Sequence, residues 1–224
     1  MARHRLRFDA RSLGPHATDL QRVRITERLA RLRRRIEAWQ GFQHLYMPAV
    51  AILRARSDQE AGGAPVIATE MDLMLPSKII HRISCDTKLV EHEWKLRIAQ
   101  ASDILHELQR LLLVRRQLYK SKEQYGTGQR HHTRSVGLIK SIQEKVDRAV
   151  EWYRATRGYL ITLGKYLTKV GWEDNLRPLL DEDIRAPDEE DSASEGRRSF
   201  TWIWRTGSVS GNDSVAQEGE KDSI

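Results

Sequence analysis

The sequence predicts an all-α protein: a long, antiparallel, coiled-coil-like helical hairpin packed with a long N-terminal helix, followed by a disordered acidic tail. Three observations predict it. Leu, Arg, Glu, Ala and Lys are abundant, while Gly and Pro are rare inside the periodic stretches. Hydrophobic residues make up 39% of the 224 residues and charged residues 31%, which favours narrow seams between helices over a large globular core. Apolar residues recur at steps of three and four along long stretches of the chain.

The chain begins with an arginine-rich stretch, residues 1–17, which is interrupted by Gly14 and Pro15. We therefore expect an irregular basic arm there. Thr18 and Gln21 have the spacing of a capping box, which predicts that a long helix begins at this point. The predicted seam of that helix consists of Ile25, Leu29, Leu32, Ile36, Trp39 and Tyr46, with Gln43 as a polar interruption.

Pro48 is expected to end or kink this helix, so residues 18–56 hold the long helix and a shorter one after it. Residues 57–77 are predicted to be a linker because they contain two adjacent glycines and two prolines. Ser77 is expected to cap a short helix before the hairpin.

The hairpin is assigned to residues 78–171, with its long arms running from Asp86 to Val170 around a turn at residues 125–128. Two apolar stripes joined by a short loop bury each other as an antiparallel pair. The first stripe consists of Trp94, Ile98, Ala101, Leu105, Leu108, Leu112, Arg115 and Tyr119. The second consists of Ile139, Ile142, Val146, Ala149, Tyr153, Thr156, Leu160, Leu163, Leu167 and Val170.

Matching the two arms about the turn predicts their register. Leu112 is expected opposite Val146, and Leu105 opposite Tyr153. The same register pairs Tyr119 with Ile139 and Ile98 with Leu160.

Residues 172–224 form a tail with 14 acidic and 6 basic residues. We expect its segment 181–195, with eight acidic residues and one basic residue, to be disordered because it cannot bury enough apolar surface. Within residues 200–204, the aromatic residues Phe200, Trp202 and Trp204 alternate with the non-aromatic Thr201 and Ile203, which predicts an extended interaction patch. These aromatic residues are expected to dock on the helices of the same chain; the alternative is a motif that binds another chain.

The remaining 171 residues hold 32 basic and 17 acidic residues. This density of arginine and lysine could neutralise phosphates, which makes contact with nucleic acid a candidate function. A solvated helix face is the commoner explanation of a charge run, and a basic body that the acidic tail shields is a further alternative. The candidate nucleic-acid-binding residues are Arg28, Arg31, Arg33, Arg34 and Arg35 in the first long helix, and Arg115, Arg116, Lys120, Lys122, Arg130 and Arg134 near the hairpin tip.

The sequence also carries expectations of absence. A single cysteine, Cys85, excludes an internal disulfide framework and a multi-cysteine zinc site. The adjacent His131 and His132 point apart on a helix, so we expect no metal. No phosphate-binding loop, nucleophile elbow or metalloprotease motif is present, so we expect no enzyme, no cofactor and no small-molecule substrate. No early apolar run is typical of a signal peptide or a membrane span, so an intracellular protein without a membrane partner is expected.

Several short motifs lie in a defined order along the chain. They are Tyr46-Met47-Pro48, Leu75-Pro76-Ser77, Leu96-Arg97-Ile98-Ala99-Gln100-Ala101, Gly128-Gln129 with Thr133-Arg134, Tyr153-Arg154, Asp181-Glu182-Asp183-Ile184-Arg185, Ser194-Glu195-Gly196-Arg197-Arg198 and Trp202-Ile203-Trp204. In these motifs the sequence resembles the C-terminal helical region of fungal, transposon-derived proteins associated with Kyakuja–Dileera–Zisupton (KDZ) transposases.

The resemblance implies a transposon origin, and with it a nuclear location. Transposases of this kind are thought to combine a cysteine-cluster zinc region with an RNase H-like core that uses acidic metal ligands. This chain has one cysteine and no alternating strand pattern, so no catalytic residue is carried over. The first expectation is therefore a non-catalytic helical module that contacts nucleic acid. The alternative is a self-associating coiled-coil scaffold with no nucleic-acid role. The expected protein partner is then a second copy of the chain or another coiled coil, and the expected location is the cytoplasm.

Overall fold

A computed structural model describes residues 2–60, 62, 66–125, 129–187 and 201–205. These residues form helices, turns and loops with no strand among them, which confirms the all-α class. The chain divides into two compact units, Met1–Asp86 and Thr87–Ile224, and each is described by itself.

The first unit contains four helices: α1 Ala2–Arg11, α2 Asp19–Tyr46, α3 Val50–Glu60 and α4 Pro76–Ile79. The predicted capping box is confirmed at the start of α2. The Thr18 N–H donates to Oε1 of Gln21 at 2.9 Å, and the Gln21 N–H donates to Oγ1 of Thr18 at 3.3 Å. These two bonds satisfy backbone donors that the first turn of a helix otherwise leaves without partners.

The prediction of an irregular arm at residues 1–17 was wrong for residues 2–11, which form α1, whereas residues 12–17 are turns and loop as predicted. No Gly or Pro interrupts residues 2–11, so this arginine-rich stretch can form a helix, and Leu6 is its buried apolar side chain. The Arg3 guanidinium donates from Nε to the Thr69 carbonyl at 2.9 Å and from Nη2 to the Met71 carbonyl. Part of the basic charge of this region therefore binds the chain's own backbone.

The predicted linker at 57–77 also needs correction. Helix α3 continues to Glu60, and residues 66–74 pack against their own unit, with Ala68 and Met74 buried. The chain here is held by hydrogen bonds to its backbone carbonyls, which a glycine and proline count does not reveal. Ser77 lies inside α4, which follows Leu75 as its N-cap and begins at a proline, a residue suited to the first turn.

The second unit is built on α5, Thr87–Tyr125, and α6, Gln129–Leu167, and the predicted hairpin is confirmed. Arg115 donates from Nη1 to Oε1 of Gln143 at 3.0 Å. At the other end, a Cβ on Gly164 would lie 3.2 Å from the Trp94 ring. Both contacts lie in the predicted antiparallel register. Between them runs the buried seam of Ala101, Leu105, Leu108, Leu112, Val146, Ala149, Tyr153, Thr156, Leu160 and Leu163.

The seam is shorter than predicted at both ends. Helix α6 ends at Leu167, and Val170 is 91% exposed, because Thr168 and Gly171 take positive φ values of 51° and 81° and turn the chain away. Gly171 suits this left-handed conformation since it has no Cβ. Tyr119, near the hairpin tip, is 44% exposed, because in the described part of the chain no third segment covers the two helices there.

The predicted disordered tail is corrected for residues 172–187, which pack along the hairpin. Trp172, Leu176 and Leu179 are buried. The Tyr153 hydroxyl donates to the Arg177 carbonyl at 2.8 Å, and Arg157 and Arg154 of α6 donate from Nε to the carbonyls of Leu176 and Leu179 at 2.9 and 3.0 Å. Arginines of the hairpin thus hold the acidic segment by its backbone, a partner that composition alone does not show.

The predicted docking of the tail tryptophans onto the hairpin is confirmed. Residues 202–204 form one 3-10 turn rather than an extended strand. Ile203 is fully buried, its carbonyl accepts a hydrogen bond from Nε2 of Gln109, and the rings of Trp202 and Tyr153 lie 6.1 Å apart. The Trp204 indole N–H donates to the Arg185 carbonyl at 2.9 Å. Phe200 lies outside the described residues, as do most of the acidic stretch 181–195 and residues 206–224.

Among the described residues, no helix has both the length and the apolar character that crossing a membrane requires.

Candidate nucleic-acid interface

Helix α2 buries a stripe that differs from the predicted seam. Ile36 and Gln43 are buried, and Ile25, Leu29 and Leu32 are half-buried. Trp39 and Tyr46, predicted for the seam, are 41% and 69% exposed. The buried stripe runs from Ile36 to Gln43, two helical turns further along. Gln43 is buried because its side-chain amide forms hydrogen bonds to buried partners.

Those partners fix the C-terminal end of α2. The Gln43 amide donates from Nε2 to the carbonyls of Leu73 and Met74 at 3.0 and 2.8 Å, and Oε1 of Gln43 accepts from Arg54 at 2.8 Å. A buried amide with three partners is well satisfied. Because Gln43 faces inward, its buried contacts fix the rotation of α2 about its axis.

The loop that receives Gln43 is itself held by charge. Burial of the Asp72 carboxyl would raise its pKa, but the hydrogen bond from the Met74 N–H at 3.1 Å and the Lys78 ammonium at 3.1 Å act more strongly, and the pKa of Asp72 lies below its usual value. Asp72 is therefore ionised at neutral pH and fixes the loop beneath the end of α2.

One continuous line of exposed side chains runs along α2 beside the buried stripe, and we call it the α2 stripe. Its members follow one another at steps of three or four residues, which places them on one side of a helix. The line is about 33 Å long at 1.5 Å per residue. The α2 stripe consists of Arg24, Arg28, Arg31, Arg35, Trp39, Phe42 and Tyr46.

The five arginines predicted for nucleic-acid binding on α2 are divided by the structure. Arg28, Arg31 and Arg35 lie on the α2 stripe. Arg33 lies on the other side of the helix and donates from Nη2 to the Val66 carbonyl at 2.5 Å, so its guanidinium serves the fold. Arg34 is exposed at the flank of the stripe. The prediction missed Arg24, which only the helical register of the other three identifies.

The arginines of the α2 stripe are largely available to a partner. Arg28 pairs with Asp9 of α1 at 2.8 Å. Arg24, Arg31 and Arg35 form no hydrogen bond or ion pair with the rest of the described chain. Arg24 and Arg28 also line a crevice of 510 Å³ between the end of α1 and the start of α2. The N-terminal half of the stripe is therefore a row of exposed cations.

The second predicted cluster, at the hairpin tip, has fewer exposed cations than the α2 stripe. Arg115 is half-buried and donates from Nη2 to the Ile184 carbonyl at 3.2 Å, in addition to its bond with Gln143, so its guanidinium holds the tail segment to the hairpin. Arg116 and Lys122 are half-buried, and Arg116 interacts with its own chain. Lys120 and Arg134 are exposed. The side chains of Arg130, His131 and His132 lie outside the described part of the structure.

The predicted interaction patch of the tail is occupied within the chain. Trp202 and Trp204 are half-buried against the second unit, and Ile203 between them is fully buried. The sequence prediction did not include Ile203, because an alternating strand places Ile203 on the face opposite to Trp202 and Trp204. In the observed one-turn helix, Ile203 can be buried while Trp202 and Trp204 on either side of it are half-buried.

The described residues contain no group of three or more His, Cys, Asp and Glu side chains that could hold a metal ion. Arginines and aromatic rings, rather than acid–base or metal-binding groups, are thus what the α2 stripe offers to a partner. Comparison of the chain with protein-family models, with curated proteins and with solved structures finds no match.

Proposed function

We propose that this chain is a non-catalytic helical interaction module that binds nucleic acid through the α2 stripe. The observation that carries the proposal is the row of Arg24, Arg28, Arg31 and Arg35 on one exposed helix face. Arginine binds phosphate through a planar group with several N–H donors and remains charged at any physiological pH. Four such groups in line are suited to a polymer with evenly spaced phosphates.

The charge around the stripe supports the same proposal. Helix α2 carries seven arginines against three carboxylates, Asp19, Glu27 and Glu37. None of these carboxylates forms an ion pair with an arginine of the stripe among the described residues. The local potential is therefore positive, and it favours encounter with a polyanion.

Two further parts of the proposal rest on the resemblance to KDZ transposase-like proteins. The first is an origin in a KDZ-type transposable element, and the second is a nuclear location. Both fit a module that meets nucleic acid without catalysing a reaction on it.

The proposal is tested by fluorescence anisotropy with a labelled 20-nucleotide oligomer over a salt series. Affinity should fall steeply between about 50 and 200 mM salt because neutralised phosphates release counterions. Replacing Arg31 and Arg35 by Gln should lower the affinity and reduce the salt slope by about two, at roughly 0.9 per lost phosphate contact.

A matched control removes the same charge elsewhere. Arg56 and Arg82 are exposed and lie off the α2 stripe, so the Arg56→Gln/Arg82→Gln variant should keep most of the salt slope. Equal loss in both variants would show a diffuse charge effect and not a binding face. Absence of binding in the unmodified chain would refute the proposed function.

A second candidate function is a self-associating coiled-coil scaffold. The observation that favours it is the set of large apolar side chains that α2 and α3 leave exposed, namely Trp39, Phe42, Leu45, Tyr46 and Ile52. A second copy of the chain would cover them, and exposed apolar patches of this kind often mark interfaces. Sedimentation velocity across a concentration series tests this function, which requires the mean mass to rise above that of the 26.0 kDa monomer.

A further inference from the structure

The α2 stripe changes its chemistry halfway along. Its first four members are arginines, and the next three are Trp39, Phe42 and Tyr46. The three rings are 41%, 64% and 69% exposed. The charged half and the aromatic half thus share one exposed line of α2, which runs beside the buried stripe of Ile36 and Gln43.

The adjacent buried stripe fixes the position of the rings. Gln43 and Met47 are buried at the same end of the helix, and the hydrogen bonds of Gln43 hold α2 in one rotation about its axis. The rings of Trp39, Phe42 and Tyr46 are therefore displayed to the solvent by a rigid helix. Rigid display lowers the entropy lost when a ligand binds.

The rings follow one another at rises of about 4.5 and 6 Å along the helix axis. Stacked bases in one strand of a duplex are only about 3.4 Å apart, and their faces are covered by neighbouring bases. Bases of a single strand can separate and present their faces, and aromatic side chains stack on such bases with little regard to sequence.

We infer that the α2 stripe binds single-stranded nucleic acid, with phosphates on the arginines and unpaired bases stacked on Trp39, Phe42 and Tyr46. This inference rests on the proposed function and adds the class of nucleic acid to it. Each stacked base should raise the affinity by roughly 5- to 150-fold, so the single strand should bind more tightly than the duplex of the same sequence.

A second copy of the chain is a poorer occupant of the aromatic half. Taking about 200 Å² for each side chain as an upper value, the exposed fractions of Trp39, Phe42, Leu45, Tyr46 and Ile52 correspond to about 640 Å² of available surface at most. A stable protein interface buries roughly 800 Å² on each partner. Extending the contact along the stripe would bring in the four arginines, which a polyanion neutralises and an identical basic helix does not.

The test uses the full chain with a labelled 20-nucleotide DNA of mixed sequence, single-stranded and paired with its complement, at one salt concentration. The Trp39→Ala/Phe42→Ala variant should lose roughly tenfold or more in affinity for the single strand. Its affinity for the duplex should change by less than about twofold, because the phosphate contacts remain. The Trp39→Phe/Phe42→Tyr variant keeps two rings and should retain the preference for the single strand.

The outcomes separate the inference from the function on which it rests. If the unmodified chain shows no salt-dependent binding to either probe, both the proposed function and the single-strand inference are refuted. Equal binding of both probes, unchanged in the Ala variant, would overturn the single-strand inference and leave the arginine interface standing.

Two further outcomes would also overturn the inference. One is conversion of an oligomer into a monomer by the Ala variant, with unchanged affinity for nucleic acid, which would assign the rings to a second copy. The other is ring-dependent binding to anionic phospholipid vesicles without an effect on the single strand, which would assign them to a membrane surface. A ring-dependent preference for the single strand, with helicity by circular dichroism unchanged, supports the inference.

Discussion

Gly164 in α6 provides the sharpest test of the hairpin, because the two neighbours of its missing side chain are both large and rigid. A Cβ at this position would lie 3.2 Å from the Trp94 ring and 3.2 Å from Nε1 of Trp172. The two indoles are buried and pack edge to face, with centroids 5.5 Å apart. A methyl group can therefore be accommodated only if at least one indole moves by a few tenths of an ångström.

The expected magnitude follows from two opposing effects. Alanine favours the helix over glycine by about 1 kcal/mol, whereas overpacking a close-packed core costs about 1–3 kcal/mol. Gly164→Ala should therefore range from near neutral to destabilising by about 2 kcal/mol. Gly158 lies in the same helix with nothing within 4 Å of its Cβ position. Gly158→Ala should stabilise by about 0.5–1 kcal/mol.

The assay is denaturant unfolding of the full chain, followed by circular dichroism at 222 nm and by tryptophan fluorescence. The difference between the two alanine variants should be about 1–3 kcal/mol in the free energy of unfolding. Tryptophan fluorescence should change in the Gly164 variant only, since Trp94 and Trp172 lie beside that position. If both variants stabilise the protein equally, Trp94 and Trp172 do not converge on α6, and the register assigned to this end of the hairpin is wrong.

Two further predictions concern one buried side chain and one charged group. Ile203→Ala should lower the free energy of unfolding by about 2–5 kcal/mol, because Ile203 is fully buried. If the tail segment detaches from the hairpin instead, the loss cannot exceed the free energy with which that segment docks. Val170→Ala is the matched control, with 91% of Val170 exposed, and should change stability by less than about 0.5 kcal/mol; equal effects in the two variants would refute tail docking. Because the pKa of Asp72 is lowered in the folded state, this carboxylate contributes stability above its unfolded pKa of about 3.9, and that contribution is lost as pH falls through the lower folded pKa. Asp72→Asn should therefore be less stable than the parent at pH 7 and approach it in strong acid, and an equal difference at both pH values in thermal unfolding would contradict the assignment.

The sequence by itself determined the elements whose causes are local or strictly periodic. The capping box at Thr18 and Gln21 follows from two residues three positions apart. The hairpin follows from two apolar stripes, and its register follows from the short turn that joins them, because a short turn leaves little freedom to shift one stripe along the other. These features require no knowledge of distant residues, and they could be predicted.

Other features depend on which backbone groups come close in space, and only the tertiary structure decided them. Gln43 is polar, yet it is buried because the carbonyls of Leu73 and Met74 meet its amide. The acidic segment at 172–187 is ordered because Trp172, Leu176 and Leu179 are buried and because arginines of α6 bind its carbonyls, a backbone effect that composition does not encode.

The candidate site shows the same division. Arginine density on α2 was evident from the sequence, and it led to Arg28, Arg31 and Arg35. Which arginines face the solvent, and that Trp39 and Tyr46 join them, was decided by the rotation of α2 about its axis. Gln43 sets that rotation through hydrogen bonds to residues about 30 positions away. A buried amide without hydrogen-bond partners is costly, so these bonds restrict the rotation of α2 and with it the exposure of the rings.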